Sequence, residues 1–195
     1  VLIGLIRHGQ TEWNRMGKIQ GQTDIPLNEA GRSQAKLLAD RLVDDSFKWD
    51  YAISSGLQRA EETAQIIANA LHIPLLSPDP RLIERSYGQV EGTTQEERLE
   101  RWGEHWKERD LGQETNDIVR KRAMSFLEDM SDKYPNSNLL VISHGSFLAQ
   151  LYLALYQERY QEGIANLSFT VLEKKDLQWS PILYNCTRHL EGTNV

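Results

Sequence analysis

Two histidines in this chain occupy equivalent places, each directly after an apolar run and directly before a glycine. The first closes Leu2-Ile3-Gly4-Leu5-Ile6-Arg7-His8-Gly9 and the second closes Leu139-Leu140-Val141-Ile142-Ser143-His144-Gly145. Imidazole is the side chain whose ordinary pKa lies near neutrality, so it can act as nucleophile, base or acid at pH 7. A single histidine after a strand is more often a satisfied polar residue than a catalyst. The repeat of the arrangement, with Arg7 beside one copy, shifts the weight toward a joint site. Arg59 falls in the first turn of an expected helix, where the macrodipole disfavours a cation. A solvated surface arginine is the ordinary alternative, but an anion shared with the free N–H groups would reverse the objection. Arg7, Arg59 and His144 would then surround a phosphate or carboxylate.

Such a meeting requires both apolar runs to be strands of one sheet. Leu2, Ile3, Leu5 and Ile6 put apolar side chains on both faces, the pattern of a strand covered on two sides. In open α/β sheets, ligands bind beyond the carboxyl ends of such strands. The rest of the chain alternates in the same way. A loop over 11–27 precedes a helix capped by Asn28 and running to about Asp44, with Ala35, Leu38, Ala39, Leu42 and Val43 inward. A short strand at 50–55 leads into a helix at about 56–71, and a further strand is expected near Leu75. Residues 94–109 read as one charged helix marked by Leu99, Trp102 and Trp106, and 115–132 as another. The chain ends in a hairpin of 167–173 and 178–184, turning at Lys174-Lys175-Asp176. Strands alternating with helices define an α/β fold.

The composition narrows the function. With 22 Lys+Arg against 28 Asp+Glu, the chain is acidic, which argues against general binding to nucleic acid or an anionic membrane. An anionic substrate must be drawn in by a local positive cluster. The single Cys186 excludes an internal disulfide framework and fits a reducing compartment. The opening apolar run is too short for a signal peptide or a membrane span, so a cytoplasmic protein is expected. His8, His72, His105, His144 and His189 lack the spacing of metal ligands, and neither a metal nor another cofactor is expected.

The residues around His8 resemble a known family. Leu5-Ile6-Arg7-His8-Gly9-Gln10-Thr11-Glu12-Trp13-Asn14 is similar to the Arg-His-Gly signature of the histidine phosphatase superfamily, branch 1, which includes the cofactor-dependent phosphoglycerate mutases. Gly21, Asp24 and Leu27 with Gly31 resemble the loop that follows. Ser54 to Ala60 resembles the second arginine motif, and Glu84 with Gly88, Glu91 and Gly92 the acidic motif. Ser143-His144-Gly145 resembles the second histidine motif. Gly56 departs from a frequent proline, and Val90 from a frequent tryptophan. Neither replaces a catalytic group.

The resemblance implies a phosphoglycerate mutase-like three-layer α/β/α sandwich, a mostly parallel central sheet with helices on both faces. One domain over 1–195 would carry a short helical cap insertion at about 92–114. His8 would be the nucleophile and Glu84 the general acid and base, with Arg7, Arg59 and His144 holding the phosphoryl oxygens. Asn14, Thr11, Gln20, Gly21 and Gly145 would bind substrate. The implied activity is hydrolysis of a small-molecule phosphomonoester by a monomer or homodimer. The alternatives are a phosphoglycerate mutase and a non-catalytic phosphate-binding module. The family's mutases carry a longer insertion after the acidic motif, whereas here about 20 residues separate Gly92 from Gln113. Trp102, His105 and Trp106 either roof the substrate site or pack as an ordinary stripe with His105 in solvent.

Overall fold

The computed structural model describes residues 1–192. Its five-stranded sheet has the order β2-β3-β1-β4-β5, formed by β1 (Leu2–Arg7), β2 (Tyr51–Ser54), β3 (Leu139–Ser143), β4 (Phe169–Lys175) and β5 (Gln178–Cys186). The strands β2, β3 and β1 run parallel; β4 is antiparallel to β1, and β5 to β4. The sheet is therefore mixed, with the terminal hairpin supplying the antiparallel pairs.

β1 lies at the centre with its four middle residues buried, as its two-faced pattern requires. Ile3 and Leu5 enter one core cluster with Val119, Phe126 and Phe147 from α5 (Asn116–Lys133) and α6 (Gly145–Tyr156). Ile6 enters the opposite cluster with Leu38, Ala64 and Ile67 from α2 (Glu29–Asp44) and α3 (Gln58–Leu71). Helices thus cover both faces, and each fully buried aliphatic side chain stabilises the sandwich by about 1.5–3 kcal/mol.

Asn28 caps α2 by accepting the N–H of Gly31 at 2.8 Å, and Ala35, Leu38, Ala39 and Leu42 face inward. Val43 does not; it is 50% exposed. The close packing of β1's exit on the start of α2 demands glycine. A Cβ on Gly31 would stand 2.2 Å from the Gln10 carbonyl oxygen. Since Asn28 N–H also donates to that carbonyl, the ends of the 11–27 loop are tied together. That loop contains a short helix, α1 (Glu12–Met16).

Three further expectations need correction. Leu75 makes only an isolated bridge to Ala52. The helix expected over 94–109 stops at Trp102, because Gly103 takes φ 81, leaving α4 (Gln95–Trp102) and a single 3-10 turn at Trp106–Glu108. The hairpin turns at Asp176 and Leu177, with Lys174 and Lys175 still paired in β4. Gly56 has φ 90, which proline cannot reach, so its departure from the family pattern is a change of backbone conformation.

Candidate active site

The strand ends meet. β1 and β3 pair with Arg7 opposite Ser143, and His8 N–H donates to the Ser143 carbonyl at 3.0 Å. The next residue on each side is thus His8 or His144, with ring centroids 5.1 Å apart and both side chains buried. His8 Nδ1 lies 2.7 Å from the Gly9 carbonyl oxygen. A carbonyl only accepts, so Nδ1 carries the proton and the lone pair is left on Nε2. Burial first, then the positive charges of Arg59 and Arg7, hold His8 well below the ordinary histidine value. His144 is held well below it by burial, with His8 and the same arginines adding to the effect. Both rings are neutral at pH 7. His144 Nε2 lies 2.7 Å from Ser55 Oγ, while its Nδ1 is buried without a partner.

Arg59 is 1% exposed although it is polar and charged. Its Nη1 and Nη2 donate to the carbonyls of Thr23 and Gly21 at 2.7 and 2.6 Å, and its Nε is buried without a partner. The loop, rather than the helix N-terminus alone, therefore aims the guanidinium. Burial brings Arg59 down to about 10, still charged at neutral pH. Gly21 fits this role because it has φ 54 and because a Cβ there would strike the Glu91 carboxylate. Glu91 in turn accepts the N–H and hydroxyl of Thr23 at 3.0 and 2.7 Å. Arg7 Nη1 donates to the Ile164 carbonyl at 2.6 Å, and its buried Nε lies beside Gly145 without a partner.

Glu84 arrives from the irregular stretch after the 3-10 turn Pro80–Leu82. Its Oε1 accepts the backbone N–H groups of Arg85 and Phe147 at 2.8 and 2.9 Å, and its Oε2 accepts that of Ser146 at 2.9 Å. Two of these donors belong to the first turn of α6, the positive end of its dipole. Neither neighbouring arginine pairs with Glu84. Arg81 bridges Asp79 and Asp129, and Arg85 bonds Ser146, Asn116 and the Glu114 carbonyl.

These groups face a cleft of about 570 Å³. Arg7, His8, Arg59 and Glu84 line it, as do Asn14, Gln20, Gly21 and Gly145. His144 sits behind His8. Thr11 stands off the wall: it is fully buried, caps α1 by accepting Asn14 N–H, and donates its hydroxyl to Gln20 Oε1 at 2.6 Å. It holds Asn14 and Gln20 in place. The structure adds residues that no sequence pattern marks. Asn166 donates to the His8 carbonyl at 3.0 Å and to Asn14 Oδ1 at 3.3 Å, while Lys18, Tyr87, Ser146 and the 161–164 loop complete the wall. Asn166 lies between elements with no flanking motif, so no pattern marked it.

Trp106 is buried with Val90 and Leu111, Trp102 packs against that cluster, and the His105 side chain is 82% exposed. Among the described residues, no group of three or more His, Cys, Asp or Glu is placed to hold a metal ion, and no helix is long and apolar enough to cross a membrane.

An α/β/α sandwich with a strand-end histidine pair, two buried-edge arginines and a helix-capped carboxylate defines a histidine phosphatase-type protein. The sequence matches the profile of the histidine phosphatase superfamily (branch 1) over residues 3–187, and the chain belongs to that family. It is 35% identical to an uncharacterized phosphatase, PhoE, of Bacillus subtilis, over 96% of each chain. It is 33% identical to a metal-independent phosphoserine phosphatase of Arabidopsis thaliana, over 97% of this chain and 83% of the relative. Among solved structures, YhfR of Bacillus stearothermophilus superposes with a TM-score of 0.89 at 26% identity, covering 97% of this chain and 99% of the other.

Proposed function

We propose that this protein hydrolyses small phosphomonoesters through a phosphohistidine on His8, with Glu84 as general acid and then general base. The observation that carries the reading is the neutral His8 ring, its Nδ1–H fixed on Gly9, in a cleft wall shared with Arg7 and Arg59 and with the His144 ring beside it. In the first step the Nε2 lone pair attacks phosphorus and the P–O bond to the alcohol breaks. The Glu84 proton passes to the departing oxygen, which would otherwise leave as a poor alkoxide. In the second step Glu84 takes a proton from water as its oxygen attacks phosphorus. The P–N bond breaks, phosphate leaves, and Nε2 recovers its lone pair. Arg7 and Arg59 offset charge on the oxygens in flight, where most catalysis of phosphoryl transfer resides, and the neutral His144 ring offers a hydrogen bond. The buried, unpartnered Arg7 Nε, Arg59 Nε and His144 Nδ1 suit that task. Asn14, Gln20, Gly21 and Gly145 shape the phosphate end.

The segment 92–114 is the cap of a single domain. Its one short helix and one turn cover less than the longer insertion of mutases, which favours water as the acceptor over a second phosphoglycerate. The phosphatase names of the relatives support the same reaction. An acidic chain with one free cysteine suits the cytoplasm. The test is phosphate release from a panel of phosphomonoesters that includes 3-phosphoglycerate, with EDTA throughout. Several alkyl esters should be hydrolysed, and His8→Ala should abolish turnover. Conversion of 3- to 2-phosphoglycerate without phosphate release would assign the mutase instead.

A further inference from the structure

Between α6 and β4, the segment from Ile164 to Leu167 bonds repeatedly to the exit of β1. The Ile164 carbonyl accepts Arg7 Nη1–H at 2.6 Å, and Leu167 N–H donates to the Arg7 carbonyl at 2.9 Å. Leu167 takes φ 55, a conformation that a bulky side chain adopts only where its surroundings hold it there. Between these two bonds, Asn166 Nδ2 donates to the His8 carbonyl at 3.0 Å and to Asn14 Oδ1 at 3.3 Å. The His8 carbonyl can only accept, so Asn166 must present its NH₂ group on that side. That same NH₂ group meets Asn14, which must answer with oxygen. Thr11 N–H donates to the same Asn14 oxygen at 3.1 Å, while the Thr11 hydroxyl gives its proton to Gln20 Oε1. With its oxygen so occupied, Asn14 turns Nδ2 the other way, and that nitrogen has no partner among the described residues. Asn14 shares the cleft wall with Arg7, His8 and Arg59.

We propose that Asn166 is a positioning residue for phosphoryl transfer, locking the Asn14 amide so that Nδ2 faces the phosphoryl oxygens. The inference rests on the phosphatase reading and deepens it. A flipped Asn14 would set its NH₂ group against the Asn166 NH₂ and the Thr11 N–H, two donor–donor contacts in place of two hydrogen bonds. A flipped Asn166 would set its oxygen against the His8 carbonyl oxygen. Neither amide can turn alone, and the orientation is anchored on the backbone of the nucleophile itself. The cap of α1 alone would hold Asn14 Oδ1 through Thr11 and tie it to the helix. Asn166 adds a second bond and ties the same amide to His8. A neutral donor fixed in this way meets charge on the phosphoryl oxygens without having to reorient as the charge develops.

The experiment is a double-mutant cycle read in two ways: kcat/KM on an alkyl monophosphate, and binding of inorganic phosphate by titration calorimetry. Asn166→Leu keeps the side chain's volume and removes its donors, and Asn166→Ala removes both volume and donors. Each should lower kcat/KM and weaken phosphate binding by about tenfold, the effect of one lost hydrogen bond to a charged group. In the Asn14→Ala background the same changes should cost less than about twofold, because Asn166 then has no amide left to orient. Asn166→Leu at the parent's values would overturn the proposal, since the residue would only fill space. Full additivity with Asn14→Ala would overturn it as well, since Asn166 would then act by another route. A parent protein that binds inorganic phosphate but releases none from any ester would overturn the phosphatase reading instead, and the calorimetric cycle would still decide the role of Asn166.

Discussion

At the phosphate end of the cleft, His8, His144 and Arg7 stand on the ends of two adjacent parallel strands. In the adjoining pocket, Tyr87, Arg98, Trp106 and Lys107 stand on loops, a short helix and a 3-10 turn. The first region takes its geometry from a ladder of backbone hydrogen bonds flanked by two cores. The second takes it from side chains, including Arg85 and Glu114, whose bonds stitch one loop to another. Chemistry that tolerates little displacement is thus placed where the fold allows least. The proposed reading leaves recognition of the alcohol to elements whose sequence can change without disturbing the sheet.

Glu84 belongs to the phosphate end, and changing it gives the largest effect that separates the two regions. Glu84→Gln keeps the shape and removes the proton, so alkyl phosphates should slow by roughly 10²–10⁴-fold. Aryl phosphates such as p-nitrophenyl phosphate should slow far less, because their leaving group needs less protonation. Steady-state rates on the two ester types check this. Equal losses would place Glu84 in positioning alone and break the division of labour drawn above.

A smaller effect concerns stability. His8 and His144 are held below the ordinary histidine value in the folded protein, so the unfolded chain binds their protons first as pH falls. Their neutral, buried state is fully favourable above about pH 6.5 and its contribution is lost as pH drops toward the depressed native values. As pH falls below about 6.5, protonation of the unfolded chain should cost stability at each ring. His8→Gln should therefore flatten the acid dependence measured by urea unfolding. An unchanged slope would mean that the strand-end region does not resist protonation.

The sequence was legible where periodicity and spacing carry the structure. The two apolar runs ending in His-Gly foretold β1, β3 and the meeting of His8 with His144, because a parallel pair in register leaves no other arrangement. Asn28 and the alanine-rich stripe of α3 were equally plain. The charged segment after Gly92 was not. Gly103 breaks its helix, and the burial of Arg98 follows from tertiary packing on Trp106 that no helical period encodes. Thr11 illustrates a further limit: the motif placed it beside the phosphate, but a capping box and a bond to Gln20 take up its hydroxyl. Asn166 was hidden for the converse reason, since it reaches the His8 carbonyl from a loop that only the fold brings near.

The measurement that tests the central claim most directly is capture of the phosphoenzyme. Glu84→Gln, rapidly mixed with p-nitrophenyl phosphate and quenched in base, should retain one phosphoryl group. Peptide mapping should place it on His8 and ³¹P NMR on Nε2, the nitrogen left free by the Gly9 hydrogen bond. A phosphoryl group on another residue, on Nδ1, or still formed after His8→Ala would contradict the account.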